Sequence, residues 1–422
     1  MFWEIEIFEH HFDIREGIGT RVTRSRQWDF KTPGRARAEY RKHIEWHERG
    51  GFTLVYSDVR DDDIVNLALV ELRGDVNLEI EAAIREQPDS LDAWLVYGDW
   101  LESQGSERGE LVQVQAALAI RPEDQALKER EETLIADHER AWLGDLADSH
   151  SLSFRCSWKL GFVETAELSG DLLDTASACR SLESLAAARL LRALTLRIWG
   201  GGAEPLAVAN LLTPYPILRE LTIEAEVDLG LENADEVASR TLEALVLRAR
   251  QVRIGRSSLP ALRRLELTFG AIDVEANELL VPSLEVLSLT FDRAAESAPP
   301  TVAAVASFVR SVVERGERLH SLTMRVPSWG DELIAMLAER QEVARRLLLL
   351  DLCGAAVTDA GAAMLIAHAR AFQHIVFDLR YNQLGPDRAS ELARRFERIQ
   401  IDTQHEVPPW RRTENEYDDV DE

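Results

Sequence analysis

The sequence predicts a multi-domain α/β chain: a small α+β head, an acidic helical middle and a long C-terminal solenoid of short strands. Three observations predict it. At 422 residues the chain exceeds one ordinary domain. Its first quarter changes from alternating to helical hydrophobic periodicity. Its second half repeats one short apolar pattern with steps in the twenties.

Residues 1–56 read as the head. Phe2-Trp3-Glu4-Ile5-Glu6-Ile7 alternates as a strand, Gly17-Ile18-Gly19-Thr20 is a turn, and Arg21–Arg24 starts a second strand. Thr32-Pro33-Gly34 opens a helix from Arg35 to His47 with Ala36, Tyr40 and Ile44 on one face. Gly50-Gly51 ends it, and Phe52-Thr53-Leu54-Val55 returns as a strand. Through Trp3-Glu4-Ile5, Gly17–Thr20, Phe30, Ala36, Tyr40, Ile44 and Gly51-Phe52, this order resembles the WGR domain over about 55 residues. Members of that family use the module to touch nucleic acid or a neighbouring domain. The tripeptide that names the family is replaced here by Arg15-Glu16-Gly17. The resemblance directs attention to Arg21, Arg24, Arg26, Lys31, Arg35 and Arg37 as possible nucleic-acid contacts, with Trp28 available for stacking.

Residues 57–150 read as an acidic helical segment, opened by the solvated run Asp61-Asp62-Asp63. Gln87-Pro88-Asp89-Ser90 supplies a helix start, and Trp94, Tyr97 and Trp100 follow three apart, a stripe expected to pack a core. Arg108 and Glu110 are placed to pair with Asp99 or Glu102 across the turn. The stretch from Leu91 to Gln115, with Tyr97, Asp99, Trp100, Leu101, Gly105 and Arg108-Gly109-Glu110, resembles the bacterial repeat-companion domain found beside repeat arrays in myxobacterial and planctomycete proteins. Residues 151–190, with Trp158–Glu164, are expected to form the N-terminal edge of such an array.

Across 191–401 a Leu-x-x-Leu-x-Leu pattern recurs. It begins at Leu191/Leu194/Leu196 and Leu218/Leu221/Ile223 and runs through copies at 242–247, 262–267, 284–289, 319–324 and 347–352. A copy ending Phe377/Leu379 follows, and Phe396/Ile399/Ile401 closes the series. This is the leucine-rich-repeat signature, and it predicts an irregular horseshoe of parallel strands. The driving force is burial, because one short strand cannot hide its own apolar face and stacked neighbours can. Asn382 in Leu379-Arg-Tyr-Asn382-Gln-Leu384 stands where its amide would satisfy backbone groups between coils. Helices are expected over 331–345, 359–371 and 387–398, with little room for them earlier. The outward strand positions form the expected concave face, and its charged members are Arg197, Glu224, Arg248, Glu266, Arg325, Asp351, Asp378 and Arg380. Residues 402–422 end in an acidic tail expected to be disordered.

Composition bounds the chemistry. The net charge of −26 disfavours generic nucleic-acid coating, although residues 21–49 carry nine basic against four acidic side chains. Three cysteines without paired spacing, no apolar run long enough for a bilayer and no signal-like start point to a cytoplasmic protein. His43 and His47 lie four apart, but the glutamate of a His-Glu-x-x-His site is one place late, so no metal is expected. Phosphate-loop, dinucleotide and nucleophile-elbow motifs are absent. No enzyme activity, cofactor or small-molecule substrate is expected. The sequence reading is a protein-binding scaffold, with nucleic-acid regulation through the head as the alternative.

Overall fold

A computed structural model of the chain describes residues 76–148, 152–200, 205–212, 214–231, 240–274, 279–292 and 302–406, and the backbone of five strands before them. The chain divides into two compact units, Met1–Arg192 with Pro214–Ile217, and Ala193–Thr213 with Leu218–Glu422. The architecture is mixed α/β, with twelve helices among the described residues and a large, mostly parallel sheet.

The first unit opens on an antiparallel sheet of β1 (Phe2–Ile7), β2 (His11–Ile18), β3 (Arg21–Asp29), β4 (Phe52–Ser57) and β5 (Asn66–Glu71), in the order β3-β2-β1-β5-β4. Two of these strands were not expected. The pairing of β2 with β3 shifts register between Glu16 and Gly17, and a bulge there breaks the period-two signal. Asn66-Leu-Ala-Leu-Val-Glu71 is a short apolar run whose periodicity does not separate strand from helix. Because β5 pairs with both β1 and β4, a boundary at residue 56 would cut the sheet, and the predicted division there is corrected. Arg21, Arg24, Arg26 and Trp28 lie on β3 at the end of this sheet. Lys31, Arg35, Arg37, the predicted helix 35–47 with its two histidines, and the acidic tail beyond residue 406 lie outside the described residues.

Four helices follow: α1 (Leu78–Glu86), α2 (Leu91–Ser103), α3 (Glu107–Ile120) and α4 (Gln125–Leu143). Asn77 caps α1 by accepting from the Glu79 and Ile80 amides at 3.1 and 3.2 Å. The aromatic stripe packs inward as expected, with Trp94 and Tyr97 buried against Phe162 at ring separations of 5.5 and 4.9 Å. The pairing expected of Arg108 is corrected. Its guanidinium is buried over the Phe162 ring at 5.1 Å, and Glu110 instead pairs with Arg130 at 2.6 Å. A continuous apolar environment attracted the long arginine stem inward, a choice that spacing alone does not reveal. Fully buried Glu81 is held by Arg189 at 2.9 Å, Arg85 at 3.0 Å and the Tyr97 hydroxyl at 3.1 Å.

The predicted array edge, 151–190, forms a hairpin of β6 (Ser153–Lys159) and β7 (Phe162–Asp171), followed by α5 (Leu172–Ser184). Leu160 and Gly161 both have positive φ at its turn. A side chain at 161 would also meet the Arg108 carbonyl at 2.7 Å, so glycine is required there twice over. This hairpin belongs to the first unit.

The second unit carries β8 (Ala193–Trp199), β9 (Leu206–Ala207), β10 (Glu220–Ala225), β11 (Leu229–Leu231), β12 (Ala244–Ile254), β13 (Ser257–Ser258) and β14 (Arg264–Val274). After these come β15 (Leu279–Leu280), β16 (Val286–Phe291), β17 (Ser321–Arg325), β18 (Leu349–Asp351), β19 (Val376–Asp378) and β20 (Ile399–Gln400). Nine of them, β8, β10, β12, β14, β16, β17, β18, β19 and β20, pair in that order and all in parallel. The register aligns the apolar pattern: Leu194, Leu221, Leu245, Leu265, Leu287, Leu322, Leu350, Phe377 and Ile399 form one unbroken column. From Leu194 to Phe377 every member is buried. A one-residue slip would expose the whole column, which is why the register is fixed.

Helices in this unit are α6 (Val208–Leu212), α7 (Val302–Arg315), α8 (Gly330–Glu339), α9 (Gln341–Ala344), α10 (Asp359–Ala367), α11 (Ala369–Phe372) and α12 (Pro386–Arg395). The three expected helices occur, two of them divided, by Arg340 and by His368. Helix α7 was not expected, although Val305, Phe308, Val309 and Val312 bury one face at helical spacing within the longest step. Side chains also join successive segments of this unit. Asp331 accepts from the Thr358 amide at 2.9 Å, and Asp359 accepts from the Gly385 amide at 2.8 Å.

Candidate protein-binding face

Along β8 the apolar residues Leu194, Leu196 and Ile198 are buried, so Thr195, Arg197 and Trp199 occupy the other face. Parallel register then gathers the predicted site residues into two columns. Arg197, Glu224, Arg248, Thr268, Thr290 and Arg325 form one. Glu266, Ser288, Thr323, Asp351 and Asp378 lie along the other, with Arg380 two positions beyond Asp378. Seven of the eight predicted charged residues therefore share one face of the sheet, with Asp351 buried among them, and Arg380 follows in the turn after β19.

The charges match one another across and along the strands. Glu224 stands between Arg197 and Arg248 at 3.3 and 3.6 Å. Arg264 closes on Glu266 at 2.6 Å, Arg325 on Asp351 at 2.6 Å and Arg380 on Asp378 at 2.7 Å. The last two are bidentate or charge-assisted contacts and hold their side chains in fixed geometry. The looser Glu224 contacts leave both partner arginines about half exposed.

Asp351, Cys353 and Asp378 bring one possible metal-ligand atom each to within 4.8 Å of one another. Their chemistry is that of an ion-pair knot. Burial works to raise the Asp378 pKa, but the Arg380 hydrogen bonds and the charges of Arg380 and Arg325 outweigh it and hold it below the usual range. Burial, with Asp378 and Asp351 nearby, pushes the Cys353 thiol up to about 12, so it keeps its proton at neutral pH. A divalent cation would have to displace two guanidinium groups and a proton.

At the β8–β12 end, a concavity of about 540 Å³ opens between Arg197, Trp199, Glu224, Glu226, Arg248 and Arg250. Trp199 is half exposed on its rim. Arg250 pairs with Asp228 at 3.0 Å, and Glu226 accepts from the Gly200 amide at 3.1 Å. Sequence reasoning missed Trp199, Glu226 and Arg250. The signal was present, because the alternation that selects Thr195 and Arg197 reaches Trp199 two residues later. Asn382 does what its position predicted. Buried, it accepts from the Val357 amide at 2.8 Å and donates to the Leu352 and Arg380 carbonyls at 2.9 and 3.2 Å.

No described helix is long and apolar enough to cross a membrane. No family model and no curated protein matches the chain. Among solved structures, a protein from Bacteroides fragilis, a structural-genomics target, aligns with 99% of this chain and 100% of its own at 13% identity and a TM-score of 0.40. That likeness is too distant to inform function.

Proposed function

We propose that 191–401 is a leucine-rich-repeat array and that the chain is a non-enzymatic scaffold gripping a protein partner on the exposed face of its parallel sheet. The observation that carries this reading is the nine-strand register, which turns scattered arginines, carboxylates and Trp199 into one contiguous face. Tryptophan and arginine are the residue types that dominate binding energy at protein interfaces. A ladder of both charge signs suits a protein surface better than a phosphate backbone, which calls for one sign. The head and the acidic middle, read as WGR-like and repeat-companion modules, would position the array or bind a second component.

The test is affinity capture from the native host with the intact chain and with Arg248→Glu plus Arg325→Glu. Loss of partners in the double variant supports the proposal. Retention of every partner refutes the use of this face. The alternative, nucleic-acid binding through the head, draws on Arg21, Arg24 and Arg26 lying together on the terminal strand β3. A salt-insensitive or absent mobility shift of DNA by the full chain excludes it.

A further inference from the structure

Parallel strands all begin on the same edge of the sheet, so the connections from α7, α9, α11 and α12 into β17, β18, β19 and β20 line that one edge. The segments 315–320, 340–346, 367–374 and 394–398, which take in the short helices α9 and α11 and the ends of α7 and α12 as well as these connections, hold nine arginines and no lysine against three glutamates, Glu317, Glu342 and Glu397. In a chain of net charge −26 this is a pronounced local reversal. The arginines of the exposed sheet face each lie within 4 Å of a carboxylate. Along this edge, Arg318, Arg345, Arg370, Arg395 and Arg398 are exposed and make no ion pair among the described residues.

Helix dipoles account for part of the pattern. Arg394 and Arg395 occupy the last turn of α12, where cations are favourable. Arg345 is the C-cap of α9, whereas Arg318 and Arg398 lie three residues beyond their helix ends, outside the reach of that effect. Two exposed apolar residues interrupt the row. Leu348 and Val376 are 59% and 38% exposed, and the Val376 amide donates to the Leu348 carbonyl at 2.9 Å, which joins their backbones where β18 and β19 begin. Sugar and phosphate would give these side chains nothing to bury against, whereas a peptide would.

We infer that this arginine edge, which meets the exposed sheet face at Val376, is a second docking surface for an acidic protein segment that carries aliphatic side chains between its carboxylates. Guanidinium forks would take the carboxylates, and Leu348 with Val376 would take the aliphatic groups.

The probe is a fluorescein-labelled peptide of four Glu-Glu-Leu repeats, titrated by anisotropy against the full chain at about 0.15 M salt, where the screening length is about 8 Å. Single-stranded DNA of similar charge and a Glu-Glu-Ser peptide serve as comparisons. Saturable binding of the Leu peptide is expected, weakened about tenfold or more by Arg345→Glu with Arg370→Glu and Arg398→Glu. Leu348→Ser with Val376→Ser should bring its affinity down to that of the Ser peptide. The sheet-face variant Arg248→Glu should leave it unchanged, so failure here and failure of the proposed scaffold face are separable. All five positions are exposed, and an unchanged circular dichroism melt verifies folding. No binding, binding insensitive to the arginine reversals, or tighter binding of DNA than of the peptide overturns the inference.

Discussion

Removing the Asn382 side chain should loosen the parallel sheet locally and by a predictable amount. In Asn382→Ala the Val357 amide loses its 2.8 Å acceptor in a fully buried position. No other acceptor for that amide lies among the described residues. The two carbonyls served by the Asn382 amide fare better, since Leu352 O keeps the Ala355 amide at 3.1 Å and Arg380 O keeps the Gly354 amide at 2.9 Å. One orphaned buried donor costs about 1–3 kcal/mol, and two lost but replaceable bonds add about 1 kcal/mol together, for about 3 kcal/mol in all. The lost bonds all lie within residues 352–382, so the cost should appear where it is incurred. Hydrogen exchange followed by mass spectrometry should show Leu349–Asp351 and Val376–Asp378 exchanging about a hundredfold faster, with α1–α4 unchanged. A change below about threefold would refute the keystone role of Asn382.

Three further outcomes follow from the same geometry. Arg189→Met leaves the buried Glu81 carboxylate with Arg85 as its one cation among the described residues, beside the Tyr97 hydroxyl, and should cost the first unit about 3–5 kcal/mol in urea denaturation, most of it recovered in Arg189→Met with Glu81→Leu. Burial, together with neighbouring carboxylates, pushes the Cys156, Cys179 and Cys353 thiols up to about 12, so none should react with a disulfide reagent at pH 8 until the chain unfolds. Burial raises Glu183 to about 7 from an unfolded value of 4.5, against the opposing charge of Arg180. The folded state therefore binds the extra proton between those values, and the urea midpoint should fall as pH rises from about 4.5 to 7 and then level off. Glu183→Gln should flatten that dependence.

The parallel strands of the second unit were readable because burial imposes a strict period on each of them. Leu245 and Leu247 have no alternative to facing the core, and their neighbours 20 residues on repeat the constraint. Asn382 was readable for the same reason, since a polar group amid buried leucines must find backbone partners. What escaped notice depends on partners distant in sequence. Arg108 found Phe162, and Glu81 found Arg189, 108 residues away, contacts with no local signature. Strand β5 hid in a short apolar run, and the bulge beside Gly17 disguised β2. The arginines of the proposed edge come from segments far apart in sequence, which the strand order brings to one end of the sheet. Most charged positions of the sheet face were legible from alternation, but their pairing was not, because alternation fixes a side chain's face and leaves its partner open.

The proposed scaffold function meets its most direct test in site-specific photocrosslinking. A benzophenone amino acid placed at Trp199, on the rim of the sheet-face concavity, is compared in the native host with the same group at Leu280, exposed on the short strand β15. The account predicts a discrete protein adduct from position 199, abolished by Arg248→Glu, and none from position 280. Equal adducts from both positions, or none from 199 while the captured partner remains bound, would contradict it.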